Sequence, residues 1–403
     1  MARSPAITGI VLERYRVFHA RTELEIKPLT VLAGENSAGK SSAMHPVLLL
    51  KQTLDAPLDP GPLLLDGDNV RLTGLEQMFT MGARGAMRFG IRTDERHLLE
   101  LEFGRDRGRL VVERNVWKGA KGKRAMVERG KTWRGRTVGQ VRFLLGGELP
   151  RRGEITVEYI PERVAQTARH IIHVSGTRGT LGRVFPAAAV GEHYPGTFDR
   201  YVARIVQDWQ QKKATQLAAL NEDLIHLGLT WKVQAKPLSD VALELRVGRL
   251  KRASQGGAHD LVSLADVGLG VAQALPILVA LHAARPGQLV YVEQPELHLH
   301  PNAQVAMADV LAAAVRRGVH AVLETHSSLL ILALQTAVAE GKLASHEVGL
   351  HWFSRGPDGA AAVHTAALAT DGSFGAWPAD FDNVSLQIQD RFLTAQEKGR
   401  RGR

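Results

Sequence analysis

The chain has 403 residues, no cysteine and a formal charge of +10, from 51 Lys and Arg against 41 Asp and Glu. The lack of cysteine excludes disulfides, thiolate chemistry and cysteine-ligated zinc, and suits a reducing cytoplasm. No stretch reaches the roughly 20 apolar residues of a membrane span. The start, Met1-Ala-Arg-Ser-Pro-Ala-Ile7, lacks the apolar core of a signal peptide, so a cytoplasmic protein without a membrane partner is expected. The positive charge favours acidic partners.

Residues 7–18 have strand character, and Thr22 to Ile26 alternates as a second strand. Leu29 to Ala33 is a short apolar run expected as a buried strand. Ala43 to Leu54 reads as a helix, with Pro46 in its first turns. Between them stands Gly34-Glu-Asn36-Ser37-Ala38-Gly39-Lys40-Ser41-Ser42, which fits G-x-x-x-x-G-K-[ST] in the strand–loop–helix context that this motif requires. Amides of such a loop and of the helix N-terminus attract phosphate oxygens. Lys40 is expected at the β- and γ-phosphates and Ser41 on Mg²⁺, so ATP and Mg²⁺ are the expected cofactors. Tyr15 and Phe18 are candidates either for stacking on adenine or for the core.

Residues 55–68, rich in Pro, Asp and Gly, read as a loop. From Met87 to Val157 short strands are expected: Met87 to Ile91, Leu98 to Phe103, Leu110 to Val112, Val141 to Leu145 and Ile155 to Tyr159. A basic stretch runs among them through Arg105, Arg107, Arg109, Arg114, Lys118, Lys121, Lys123, Arg124, Arg129, Lys131, Arg134 and Arg136, with Trp117 and Trp133 interleaved. It reads as a phosphate-backbone and base-stacking surface, hence a nucleic-acid partner, or equally as a solvated hairpin. Tyr201 to Leu227 has helical periodicity, and Trp231 to Val247 alternates.

A second chemical region follows. Asp266-Val-Gly268-Leu-Gly270-Val-Ala272-Gln273 is a glycine turn opening an apolar helix. Gln288 to Glu293 is a strand ending in a carboxylate, followed by Gln294-Pro-Glu296-Leu-His298-Leu-His300-Pro301. Val319 to Glu324 is another strand, ending at Thr325-His326-Ser327. A carboxylate at a strand tip beside a phosphate loop binds Mg²⁺ and orients the attacking water. A zinc site from His298, His300 and His326 lacks matching ligand spacing, and no nucleophile elbow surrounds Ser327.

These four ordered motifs resemble the ABC-type ATPases of the SMC/RecF/overcoming-lysogeny-defect branch, and more narrowly its stand-alone bacterial AAA-type members. Their C-terminal hallmark is similar to Asp371-Gly-Ser-Phe-Gly-Ala-Trp-Pro-Ala-Asp-Phe381. The resemblance covers roughly 1–80 and 260–385, and extends loosely to His173-Val-Ser-Gly-Thr-Arg178. It implies an α/β P-loop head with a mixed or parallel sheet, flanking helices and an antiparallel β subdomain. Residues 1–84 and 256–385 would form the two halves of that head, 85–255 a basic mixed insertion and 386–403 a basic tail. It also implies a homodimer closed around ATP. Lys40 and Ser41 would hold phosphate and Mg²⁺, Glu293 would be the strand-end acid and second metal ligand, and His326 the switch histidine. Gly268, Gly270 and Gln273 would form the signature turn that meets the partner's ATP.

Two departures stand out. Ala272 occupies a place where relatives often carry Ser. Gln294 occupies the usual position of the catalytic glutamate, and an amide cannot take a proton, so either Glu293 or Glu296 substitutes or hydrolysis is slow. The expectation is an ATP-hydrolysing dimeric switch that senses nucleic acid or a protein trigger and controls a separate effector protein, as in bacterial anti-phage defence. The alternatives are a RecF-like DNA-repair clamp and, against the long basic insertion and the Glu-Gln-Pro-Glu strand end, a transporter subunit.

Overall fold

The computed structural model describes residues 6–57, 61–94, 97–119, 124–128, 162–178, 182–187, 191, 193–250, 260–375 and 390–393. In chain order, β1 (Ile7–Glu13), β2 (Thr22–Glu25) and β3 (Leu29–Gly34) lead to α1 (Lys40–Asp55). Then come β4 (Met87–Thr93), β5 (Leu98–Asp106), β6 (Arg109–Lys118) and β7 (Arg124–Glu128). The middle of the chain holds α2 (Glu162–Arg169), β8 (Ile172–Val174), β9 (Phe185–Pro186), α3 (Val202–Gln211) and α4 (Thr215–His226). It continues with β10 (Val233–Ser239), β11 (Ala242–Gly248) and β12 (Leu261–Ser263). The last part holds α5 (Leu269–Ala283), β13 (Leu289–Glu293), α6 (Pro301–Arg316), β14 (His320–Glu324), α7 (Ser328–Ala339), β15 (Val348–Arg355) and β16 (Ala361–Ala367).

The central sheet runs β16-β15-β3-β14-β13-β8 and is parallel except for the edge strand β16. Its inner strands are apolar on both faces because helices cover both. Side chains alternate between the two sides of a strand. Thus Val290, Val292, Ala321 and Leu323 join a core with α3 to α7, while Leu289, Tyr291 and Val322 join a second core with α1. Extending the alternation places Glu293 and Glu324 on the α1 side, where the phosphate loop enters its helix.

That second core lies beneath the antiparallel sheet β2-β1-β4-β5-β6-β7. Because β4 pairs directly with β1, a boundary at 84/85 cuts through a continuous sheet, and the first strands of the expected insertion belong to the head's own β layer. Tyr15 and Phe18 are fully buried and pack edge-on against Phe89 and Phe353, so they are core residues. The single helix expected over 201–227 is two, α3 and α4, broken where Lys213 takes a left-handed conformation (φ 49°). The strands expected at 141–145 and 155–159, the Trp377-Pro part of the C-terminal hallmark and all of the basic tail except 390–393 lie outside the described residues. Among the described residues no helix is long and apolar enough to cross a membrane.

Candidate functional site

The loop between β3 and α1 can form only with glycine at its corners. Gly34 has φ 131° and Gly39 φ 108°, and a Cβ at Gly34 would lie 2.0 Å from the Phe353 carbonyl oxygen. Asn36, Ser37 and Ser41 are exposed, whereas Ala38, Ser42 and Lys40 are buried. Lys40 curls back over the loop, its Nζ donating to the carbonyls of Gly34 (3.1 Å) and Glu35 (2.6 Å). Burial lowers its pKa against the opposing pull of Glu324, Glu35 and Glu296. The first turn of α1 carries no acidic residue and no side-chain cap, so its amides point into the loop uncommitted to either.

Across from the loop stand two carboxylates in register, since Glu293 and Glu324 are Cα partners at the ends of β13 and β14. Their partners differ. Ser41 Oγ donates to Glu324 Oε1 (2.9 Å), and Tyr291 donates from its hydroxyl to Glu324 Oε2 (2.8 Å). Burial raises the pKa of Glu324, with the Tyr291 and Ser41 hydrogen bonds opposing and the charge of Glu293 adding. Glu293 turns the other way, accepting from His173 Nε2 (3.1 Å) at Oε1 and from the Gly176 amide (2.8 Å) at Oε2. Burial would raise its pKa, but the His173 contact and the Gly176 amide bring it below the usual value. The tautomer of His173 follows from its other side. The Asn69 amide nitrogen donates both to the Gly196 carbonyl and to His173 Nδ1 (3.0 Å each), so Nδ1 accepts and Nε2 carries the hydrogen.

The Ser41 hydroxyl and a neighbouring carboxylate are the hard oxygen donors that Mg²⁺ takes, usually together with waters and substrate phosphates rather than in an all-protein cage. That fits a molecule in which no group of three His, Cys, Asp or Glu able to hold a metal occurs among the described residues. His298, His300 and His326 form no such group. His300 instead caps α6 by accepting the Asn302 amide. Ser327 is likewise structural, capping α7 and donating to Gln304.

After β13 the chain turns sharply. Gln294 adopts φ 47° and its amide donates to the Glu324 carbonyl (2.7 Å). Two residues on, Glu296 Oε1 accepts the His326 amide (2.8 Å), while its Oε2 is buried with no hydrogen-bond partner among the described residues. The His326 ring is exposed, and burial of its inner part together with the Lys40 charge lowers its pKa. Lys40, Glu296 and His326 thus converge on one edge of the sheet, outside the carboxyl ends of parallel strands where α/β folds place ligands.

Arg178, 4 % exposed, ties this edge together. It donates to the carbonyls of Glu293 (2.7 Å) and Gln294 (2.9 Å), and its Nε donates to Gln273 Oε1 (3.1 Å). Gln273 returns a hydrogen bond to the Arg178 carbonyl (2.9 Å). Both ends of the Gln273 side-chain amide are thus hydrogen-bonded within its own chain. The glycines of the same turn remain available. Gly268 is exposed and no side chain caps α5. The approach of Gly270 to the His298 carbonyl sets the turn against the 294–300 loop.

Sequence reasoning did not single out Glu324, Tyr291, Asn69 or His173 as site residues. A signal existed for Glu324, which ends an apolar strand just as Glu293 does. The basic stretch is seen in part: Arg107 and Arg109 are exposed, Arg114 pairs with Glu102, and Arg105 lies over the Phe79 ring. Lys121, Lys123, Arg129, Lys131, Trp133, Arg134 and Arg136 lie outside the described residues.

Residues 212–333 match the family described as "AAA domain, putative AbiEii toxin, Type IV TA system". A search of curated proteins gives no match. In structure, the chain is similar to an SMC head bound to the C-terminal winged-helix domain of ScpA, with TM-score 0.50 and 12 % identity over 90 % of this chain and 98 % of that one. SMC heads from Thermotoga maritima (TM-score 0.41, 11 % identity, 89 % and 98 % covered) and Pyrococcus furiosus (0.48, 11 %, 90 % and 96 %) align less closely. With its phosphate loop, its sheet order and the first of these structural likenesses, the chain has the fold of an SMC ATPase head, and residues 212–333 carry the match to the AAA-domain family.

Proposed function

We propose that the protein is a slow ATPase that works as an ATP-closed homodimer and reports its state to a separate effector. The observation that carries this reading is the signature turn. Gly268 and Leu269 face solvent at an uncapped helix N-terminus, presenting amides that suit phosphate oxygens of another copy. Exposed Leu269, Val305, Leu329 and Leu332 lie in the first turns of α5, α6 and α7, supplying apolar surface around the same edge.

In this reading Lys40 and the loop amides hold ATP, Ser41 and a strand-end acid take Mg²⁺, and His326 stands beside the γ-phosphate. When bound, Mg²⁺ would neutralise phosphate charge. With Gln294 unable to accept a proton, Glu296 is the base, because its second oxygen is uncommitted. Closing a mostly open dimer takes about 5.5 kcal/mol, and charge-assisted hydrogen bonds contribute roughly 1.5–3 kcal/mol each, so a few contacts on two γ-phosphates suffice. A role in anti-phage defence draws on the toxin–antitoxin description of the matched family, and an effector partner on the ScpA-bound head. In this reading the C-terminal half of the head, expected over 256–385, completes the part begun by the phosphate loop, and the protein acts in the cytoplasm.

Exposed Arg107 and Arg109 at the β5–β6 turn favour a second reading, a DNA clamp. The test is sedimentation of the protein with and without ATP and Mg²⁺. ATP-dependent dimers that Lys40→Ala abolishes support the switch; a monomer under every condition, with ATP bound, rejects it. Turnover strongly stimulated by duplex DNA would favour the clamp.

A further inference from the structure

The two strand-end carboxylates are not equivalent, and strand order is the reason. β14 lies directly between β3, which leads into the phosphate loop, and β13. Glu324 pairs with Leu32 of β3, and the next amide, Thr325, still donates to the Leu32 carbonyl (3.1 Å). Neighbouring strands sit about 4.8 Å apart, so the tip of β13 is roughly twice that distance from the loop strand. The nearer acid already touches the loop through Ser41, while Tyr291 fixes its second oxygen. The farther acid has both oxygens held on the side of β8 by His173 and Gly176.

We infer that Glu324, rather than Glu293, is the acid that shares the nucleotide-bound divalent cation with Ser41. The inference rests on the ATP reading of the phosphate loop and assigns the second oxygen donor of that site. Glu324 Oε1 already lies within hydrogen-bond reach of the Ser41 hydroxyl, so the two donors converge with no rearrangement of the strands. The Tyr291 hydroxyl keeps the carboxylate from swinging away. Glu293 has a different task. Held by His173, whose own orientation is set by Asn69, it fixes the 173–178 segment against β13.

The test is calorimetric ATP binding to the full chain in excess EDTA and again with saturating Mg²⁺. For the wild type, Mg²⁺ is expected to tighten binding. Glu324→Gln should bind ATP in EDTA within about twofold of wild type and lose roughly tenfold or more of the Mg²⁺ gain. Ser41→Ala should lose a similar part, and the double variant should lose little more than either alone, as partners in one site do. Glu293→Gln should keep the whole Mg²⁺ gain. A Mg²⁺ gain lost in Glu293→Gln, or kept in full by Glu324→Gln, would overturn the assignment. If Glu324→Gln loses binding even in EDTA, the Glu293→Gln result decides alone in the same two directions. ATP binding in EDTA that is indifferent to Lys40→Ala would instead reject the phosphate-loop reading itself, so the two failures are distinct.

Discussion

Glu296 and His326 are joined by a backbone hydrogen bond of 2.8 Å, from the His326 amide to Glu296 Oε1, which leaves Oε2 buried and unpartnered among the described residues. A buried carboxylate oxygen without a donor is costly unless something comes to use it. Next to Lys40 and His326, in the proposed ATP site, an attacking water would be the natural donor. Glu296→Gln should therefore lower the turnover of ATP by about 10²- to 10⁴-fold, the usual contribution of a general base. ATP affinity should stay within a few-fold and ATP-induced dimers should persist. Single-turnover hydrolysis measures the first and calorimetry the second. Turnover unaffected by the change would remove Glu296 from the mechanism and direct attention to Glu293.

The signature turn gives a clean substitution. A Cβ at Gly270 would press on the His298 carbonyl at 3.0 Å, so changing that glycine disturbs its own chain. A Cβ at Gly268 meets nothing, and its φ of −61° suits any L-residue. Gly268→Glu should thus fold normally and place a carboxylate where phosphate of another copy is expected. Dimer formation with ATP should weaken at least tenfold, as a like-charge contact at an interface costs several kcal/mol. Nucleotide binding to the monomer should be unchanged. If monomer affinity falls as well, the turn acts on its own chain's nucleotide and the trans arrangement is wrong.

The phosphate loop was legible because its requirements are local. Nine consecutive residues, from Gly34 to Ser42, carry both the backbone freedom and the chemistry. The tips of β13 and β14 were legible as apolar runs ending in carboxylates. Which tip touches Ser41 was not, since that depends on strand order, and strand order is a pairing between segments hundreds of residues apart in sequence. Asn69, His173 and Glu293 likewise meet only after folding, from a loop and two strands with no shared motif. The break between α3 and α4 had no Gly or Pro to announce it; Lys213 takes the left-handed conformation there instead.

Acid should destabilise the protein partly through His45. This residue lies in the second turn of α1, with the Tyr15 hydroxyl 2.7 Å from its Nδ1. Burial, reinforced by the Arg16 charge, lowers its pKa from 6.5 to about 3. Between those values the unfolded chain binds one more proton at this site than the folded chain does. Stability from His45 is therefore complete above about pH 6.5 and falls as pH drops toward 3. The slope is at most ~1.4 kcal/mol per pH unit. Urea midpoints measured across that window should decline less steeply in His45→Gln than in wild type. Parallel declines would mean that His45 is protonated in the fold or that its environment is wet.

Arg178 is a final case in which burial decides the outcome. Its guanidinium satisfies the Glu293 and Gln294 carbonyls and Gln273 at once, and burial brings its pKa down to about 10, far enough above neutrality to keep the charge. Each buried acceptor left without a donor costs about 1–3 kcal/mol. Lysine has a single ammonium and cannot span the same fork. Arg178→Lys should recover only part of the stability lost in Arg178→Leu, and both should lower the thermal midpoint. Because the fork holds the strand-end turn and α5 in fixed relation, both should also slow ATP turnover by more than they weaken ATP binding to the loop. Gln273→Ala, which frees one side of Arg178 without removing its charge, should show a milder version of the same pattern. A variant with lower stability but unchanged turnover would make Arg178 a packing residue with no influence on the site.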